Sequence, residues 1–382
     1  MPADREKEQQ MRVADIVRAM EALAPPELAE DWDNVGLLVG DLDIGVRKLM
    51  VCTDVTEAVL AEAVRVRAQM LIAHHPVIFQ NIQRVTACET PVVYEAVRRG
   101  LAIYAAHTNF DAAPGGTNDV LADILQLVDR RPLAPTARGG QCKVVVFVPP
   151  DDLPRVADAA FAAGAGRIGR YRDCAFFCHG IGSFYGMDGT RPAVGDAGRH
   201  EVIEELRLEM VCSPSRVSAV CEAIQAAHSY EEPAIDTYML RDFPTGCGAG
   251  RIGKLRRPVT VQTLIGRLKK AVGVRRLLIA AAAGDRNGDR RGMLVTTAAC
   301  FSGSGGAAFR EAVAQGANFY VTGEMSHHHA LEAVAAGTTV VCLGHGHSEH
   351  LAVASLAKRL PGQLAKVKVV VSEQDRDPFA IA

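Results

Sequence analysis

His74 and His75 stand side by side at the end of the apolar run Met70-Leu71-Ile72-Ala73, and Pro76 follows them. Two adjacent imidazoles past a buried strand make half of a metal site, because the neutral imidazole nitrogen is the commonest metal ligand among side chains. Consecutive side chains on extended backbone point to opposite faces, and Pro76 biases His75 towards extended geometry. The pair therefore suits two ions better than it suits chelation of one. The missing ligands should be carboxylates and further imidazoles, a donor set that favours Zn, Fe, Mn, Co or Ni.

Two distant segments supply them. His107-Thr108-Asn109-Phe110-Asp111 follows the apolar stretch Leu101 to Ala106, which places Asp111 just past a second strand. Val340-Val341-Cys342-Leu343 runs into Gly344-His345-Gly346-His347-Ser348-Glu349-His350. If the chain turns helical after Gly344, His345 and Glu349 are four apart and share a face. Strand-end loops are where open α/β sheets collect ligands. With 12 histidines in the chain, a chance cluster is the competing explanation.

The elements that must carry these residues alternate in type. Val13 to Met20 has helical spacing, Lys48 to Cys52 reads as a strand, Thr56 to Arg67 as a helix, and Val92 to Arg99 as a helix between the Leu71 and Ile103 strands. That alternation predicts parallel βαβ units. Arg130-Arg131-Pro132-Leu133-Ala134-Pro135 and Gly139-Gly140 then punctuate the chain. Beyond them come a strand at Lys143 to Val148, a helix at Leu153 to Ala163, a strand at Glu205 to Val211, a helix at Ser213 to Ala227 and a strand at Ile235 to Leu240. This order suggests a compact ferredoxin-like α+β module.

Five short motifs in this order, Asp31-Trp32-Asp33-Asn34-Val35-Gly36-Leu37-Leu38-Val39-Gly40, Ala73-His74-His75-Pro76, His107 to Asp111, Thr322-Gly323-Glu324 with His328, and Gly344-His345 with Ser348-Glu349, resemble the NIF-three-like dinuclear metal-centre family, also called GTP cyclohydrolase type 2 homologs. The resemblance spans most of the chain. It implies two divalent metal ions held by His74, His75, Asp111, His345 and Glu349, with Glu349 or Asp111 able to bridge them. The chain departs from the family pattern at Gly346, where an aromatic residue is common, and at Glu324, where Asp is usual. Neither change removes a ligand, and His347 stands as an alternative to His345.

The resemblance also implies a PII-like or CutA-like insert that leaves the α/β core discontinuous: core residues 1–137, insert 138–245, core residues 246–382. His228-Ser229-Tyr230-Glu231-Glu232-Pro233 resembles the insert's closing motif, with Ser229 where Pro is common. The implied activity is a metal-dependent hydrolase acting on GTP or another nucleotide-like small molecule, assembled as a homohexamer. Glu324 and His328 are the acid–base candidates. The contrasting reading is a non-catalytic protein that stores, delivers or senses metal, with the insert as a regulatory binding module.

Composition fits a globular protein of two or three domains, with 382 residues, 48% hydrophobic and 23% charged. A formal net charge of -2 gives no long-range field to draw nucleic acid or acidic membrane. The segment Met1 to Met11 is charged and no apolar run is long enough to span a bilayer, so the expectation is a cytoplasmic protein with no membrane partner. The ten cysteines lack the paired spacing of a zinc ribbon and are expected to be reduced.

Several remaining features have two explanations each. Gly-Ala-Gly-Arg-Ile-Gly occurs at 164–169 and again at 248–253, but neither copy opens a helix after a strand, so turn glycines explain them better than a dinucleotide fingerprint. Gly303-Ser304-Gly305-Gly306 precedes a helix from about Ala307 to Gln315 and is either an anion-receiving loop or a close-packed turn. Arg251, Lys254, Arg256 and Arg257 form either a solvated basic face or a phosphate contact. His107 either orients the centre or is structural, and Asp33-Asn34 is turn chemistry that shapes the cleft.

Overall fold

The computed structural model describes residues 10–135, 141–169, 171–240, 246–282, 293–362, 364 and 366–379. The Gly139-Gly140 punctuation lies outside them. The described residues fall into two compact units, one drawn from Met1–Thr136 and Gly246–Ala382, the other from Ala137–Thr245.

The first unit opens with α1 (Val13–Leu23), β1 (Gly36–Val39), β2 (Lys48–Cys52), α2 (Glu57–Arg65), β3 (Met70–Ala73), α3 (Pro91–Arg98), β4 (Ala102–Ala105), α4 (Thr108–Ala112), α5 (Thr117–Leu125) and β5 (Leu127–Pro135). The second unit contains β6 (Cys142–Val148), α6 (Leu153–Ala162), β7 (Ala175–Tyr185), β8 (His200–Cys212), α7 (Val217–Ala227) and β9 (Ile235–Met239). The first unit resumes with β10 (Gly248–Thr260), α8 (Val261–Val272), β11 (Leu278–Ala280), β12 (Leu294–Phe301), α9 (Phe309–Ala314), β13 (Phe319–Thr322), α10 (His327–Ala335), β14 (Thr339–Cys342), α11 (His345–Arg359) and β15 (Lys368–Val371).

Two sheets build the first unit. One has the order β1-β4-β3-β2-β15, with β4, β3, β2 and β15 parallel and β1 antiparallel at the edge. Its strands are apolar on both faces, as a sheet covered by helices on both sides requires. Leu49, Val51, Met70, Ile72, Ala102 and Tyr104 pack with Val13, Ile16 and Met20 of α1 and with Ala352, Val353 and Leu356 of α11. The alternate residues Met50, Cys52, Leu71, Ala73 and Ile103 pack with Val59, Leu60 and Ala63 of α2 and Val93 and Ala96 of α3.

The other sheet has the order β11-β14-β13-β12-β10-β5, in which β12, β13 and β14 are parallel and the flanking pairs antiparallel. Val295, Phe319, Val321 and Val341 meet α5 and α8 on one face, and Ala299, Tyr320 and Val340 meet Phe309, Ala312 and Ala333 of α9 and α10 on the other. Helix α11 serves both layers, since Ala352, Val353 and Leu356 belong to the first core and Leu351 packs against the second.

The second unit runs β-α-β-β-α-β, with the antiparallel sheet order β7-β8-β6-β9 of a ferredoxin-like topology. Val144, Val146, Leu206, Leu208 and Met210 face α6 and α7. The long strand β7 escapes the sequence reading because it is mostly exposed, Phe176, Phe177 and Ile181 included. No helix of the described residues is long and apolar enough to cross a membrane.

Candidate metal centre

The strands of both sheets in the first unit end at one place. β2 leads to Asp54, β3 to His74 and His75, β4 to His107, β12 to Ser302 and Gly303, β13 to Gly323 and Glu324, and β14 to His345 at the start of α11. These are carboxyl ends of parallel strands, where open α/β sheets place their ligands. The backbone N–H groups of His74 and His75 still bond to Cys52 and Thr53, so both residues remain extended. Their rings nevertheless enter the same cleft, with centroids 5.1 Å apart. Strand alternation does not separate them here: a ring nitrogen of each lies within 4.8 Å of the other and of one on His107.

Glu349 is the hub. Its Oε1 lies 3.7 Å from Nε2 of His74 and 3.3 Å from Nε2 of His345, and its Oε2 lies 3.1 Å from Nε2 of His75. Asp111 Oδ1 lies 3.8 Å from His74 Nε2. The Thr117 hydroxyl donates to that same oxygen, and the Ser302 hydroxyl does so at 3.3 Å. Two overlapping groups of potential ligand atoms result, His74 with His75 and His107, and His75 with His345 and Glu349. All five residues singled out for the metals are thus brought together, and His107 joins them.

Each imidazole is turned by a partner behind it. Nδ1 of His74 donates to the Ala106 carbonyl at 2.9 Å, Nδ1 of His75 to Asp54 at 2.9 Å, Nδ1 of His107 to Asp33 at 2.9 Å, and Nδ1 of His345 to Glu324 at 3.0 Å. Carbonyls and ionised carboxylates only accept, so these contacts place the proton on Nδ1 and leave Nε2 as the coordinating atom. This is the backing that metal-bound histidines use. Buried Nε2 of His74 and Oε2 of Glu349 have no hydrogen bond, and buried polar atoms are rarely left so without a ligand. The donor set and the two orphaned atoms fit a divalent ion.

Electrostatics agree. Burial raises the Glu349 pKa, but His345, His74 and His75 outweigh burial and hold the carboxyl far below its ordinary range. Burial lowers the His75 pKa, yet Asp54 and Glu349 push it up to about 10. The Glu349 contact, against some desolvation, lifts His345 to about 9. For His74 burial is again outweighed, here by Asp111 and Glu349, and the pKa rises. The carboxylates draw positive charge into the cleft, and protons and metal ions compete for the same nitrogens.

Two glycines make room for the hub. Gly303 has φ +62°, and a Cβ there would lie 2.4 Å from Glu349 Oε1; a Cβ on Gly323 would lie 2.5 Å from the Gly303 carbonyl. The Gly303 to Gly306 loop is a close-packed turn, not an anion cradle: the Gly303 N–H donates to Ser348 Oγ and the Gly305 N–H to Thr322 Oγ1.

Other candidates are placed differently. Arg251 is no phosphate contact, because it is buried and donates to the carbonyls of Gly248, Gly250, Ala112 and Ala113 and to Asp119. It pins the chain immediately after Asp111. His347 pairs with Asp377 at 2.7 Å and faces away from the hub. Glu324 touches His345, whereas His328 is exposed with its ring against His327. Asp54 and the clamping role of Asp33 were not found from sequence, although Asp54 stands two residues past β2 and the strand-end rule reaches it.

The family described as Duf34/NIF3 (NGG1p interacting factor 3) matches residues 11–378. A Bacillus subtilis protein named GTP cyclohydrolase 1 type 2 homolog is 35% identical over 370 residues, covering 95% of this chain and 97% of that relative. A Mycobacterium tuberculosis protein of the same name is 37% identical over 332 residues, covering 84% of each. The crystal structure of a Bacillus cereus protein related to NIF3 aligns with a TM-score of 0.68 at 33% identity, covering 98% of this chain and 100% of that one. Staphylococcus aureus SA1388, at 24% identity and a TM-score of 0.71, shares the fold over 98% of this chain and 99% of its own.

Proposed function

The chain belongs to the Duf34/NIF3 family, and from that premise we propose that the cleft holds two divalent metal ions and hydrolyses a small nucleotide-like substrate. The observation that carries this reading is the backing of four imidazoles through Nδ1, which leaves Nε2 of His74, His75 and His345 available beside Glu349. His74, His75, Asp111, His345 and Glu349 would hold the ions, and Glu349 adjoins three of the imidazoles. When bound, such a pair supplies Lewis acidity and makes water more acidic.

The chain's own residues do the rest. Ala106, Asp54, Asp33 and Glu324 fix the ring planes. Glu324 is exposed and touches His345, so we assign it, in preference to exposed His328, the exchange of protons with solvent. Zn, Fe, Mn, Co and Ni all suit the donors. GTP as substrate rests on the relatives' name, and a phosphoester suits paired metals equally. The family resemblance further proposes a homohexamer, which a monomer by light scattering would contradict.

The test is elemental analysis of untagged protein and of His75→Ala, Asp111→Ala and Glu349→Ala. Two metals per chain, diminished in the variants, support the centre and lead to a screen of GTP and phosphoesters; no bound metal after all five ions are supplied overturns it.

A second reading, metal storage or sensing with a regulatory insert of PII/CutA-like type, is favoured by a different observation. The helix-free face of the second unit's sheet carries a cavity of about 700 Å³ lined by Phe147, Glu205, Arg207 and Tyr230, and the buried Tyr230 hydroxyl has no hydrogen bond. Ready metal exchange with no turnover of any tested substrate would select this reading.

A further inference from the structure

Trp32, the chain's one tryptophan, is 58% exposed, and Phe79 beside it is 52% exposed. Their ring centroids are 5.8 Å apart at an interplanar angle of 48°. Two large aromatic rings in water at the rim of a polar cleft forgo the burial that such side chains normally gain. They do so on a rigid support. Asp33 accepts from His107 Nδ1, the Thr108 N–H and the Thr108 hydroxyl, which fastens the residue after Trp32 to the end of β4. Asn34 Nδ2 donates at 2.6 Å to the carbonyl of Ile78, the residue before Phe79. The run Trp32-Asp33-Asn34 is thus one presented ring followed by two clamps, and each clamp holds a neighbour of the aromatic pair.

The pair is continuous with the metal cleft. Trp32 meets the edge of His107 at 5.8 Å, and His107 in turn lies 5.2 Å from His74 and 5.3 Å from His75, ring centroid to centroid. A flat ring laid on Trp32 would lie two ring contacts from the hub. We propose that Trp32 and Phe79 form a stacking subsite for a planar heteroaromatic ring of the nucleobase class, which they deliver to the cleft. This rests on the nucleotide-like reading above only in that the ring belongs to the substrate. Stacking tolerates any base, because each has a π face; a phosphoester without a base gains nothing from it.

The single tryptophan makes the subsite its own reporter. Full-length protein is titrated with guanosine, adenosine and cytidine, and with inorganic tripolyphosphate as the base-free control, while tryptophan fluorescence is read with and without Zn. The expected result is a saturable change with at least one nucleoside and none with tripolyphosphate. Phe79→Leu, which keeps the bulk and loses the π face, should weaken binding on the order of tenfold, and Phe79→Tyr should restore it. Trp32→Leu, followed by calorimetry, should weaken it likewise. Unchanged nucleoside affinity in both leucine variants, or no response to any nucleoside, overturns the proposal. So does a wild-type tryptophan shielded from acrylamide, which would mean that another chain covers the pair. Base binding without turnover would leave the subsite standing and sink the hydrolase reading, whereas turnover unaffected by the leucine variants would do the reverse.

Discussion

His75 is one side chain in two contacts, Nδ1 on Asp54 and Nε2 toward Glu349, and the first decides how well the second works. Removing the group behind a coordinating histidine typically costs 10- to 100-fold in metal affinity. Asp54→Ala should therefore bind metal about that much more weakly in a chelator competition, with the fold retained by circular dichroism. Asp377→Ala, which strips the partner from His347, should leave metal affinity unchanged, because that imidazole faces away from Glu349. His74, His75, Asp111, His345 and Glu349 were legible as candidates, since each stands just past an apolar strand or four residues along one helix face, and the family resemblance selected them as a set. Asp54 and Asp33 could not be singled out in the same way. They act through hydrogen bonds to rings 21 and 74 residues away, and nothing in local spacing distinguishes such an acid from one that serves a turn.

Elements carry the centre through contacts remote from it. β10 positions Asp111 by way of Arg251, whose guanidinium reaches two carbonyls after that aspartate and the carboxylate of Asp119. Lysine cannot reproduce this fork. Arg251→Lys should leave buried carbonyls unpaired, destabilise the chain by about 1–3 kcal/mol in denaturant titrations and lower metal affinity with it. The charge of Arg251 within a basic run suggests an exposed face; only the pairing of β10 with β5 and β12 buries it. A second tie joins α2 to the segment after β15. Buried Glu62 accepts from Ser372 Oγ at 2.6 Å and from the N–H groups of Glu373 and Gln374 at 3.1 Å each. Burial raises its pKa, but these donors outweigh burial and depress it below its usual 4.5. A depressed carboxyl contributes stability above its unfolded pKa and loses it as pH falls through the folded value. Thermal midpoints of the wild type should therefore fall as pH drops below about 4.5. Glu62→Gln should start lower at neutral pH and lose less over that window; parallel profiles would remove Glu62 as a contributor.

At the scale of the whole chain, the proposed centre draws its side chains from both separated stretches of the first unit, His74, His75 and Asp111 before residue 136 and His345 and Glu349 after residue 246. The stretches are sewn together where the second unit departs, because Pro135 at the end of β5 pairs with Gly248 at the start of β10. Chain ends held as neighbours in an antiparallel pair can be joined by a short turn. The folding of the first unit then need not depend on what is inserted there, as domain insertions at such sites generally require. Replacing residues 136–247 by a Gly-containing turn should yield a folded protein that binds the same number of metals per chain as the full-length protein. Metal bound by both stretches would act as a ligand of the folded state alone, so it should raise the thermal midpoint, by an amount that grows with free metal concentration. That rise should be as large in the shortened protein as in the full chain. A shortened protein that folds but binds no metal would mean that residues 136–247 take part in forming the centre, and the five side chains would then be insufficient to explain it. Equal metal content and equal stabilisation would confine the centre to the first unit and free the second for a separate binding task.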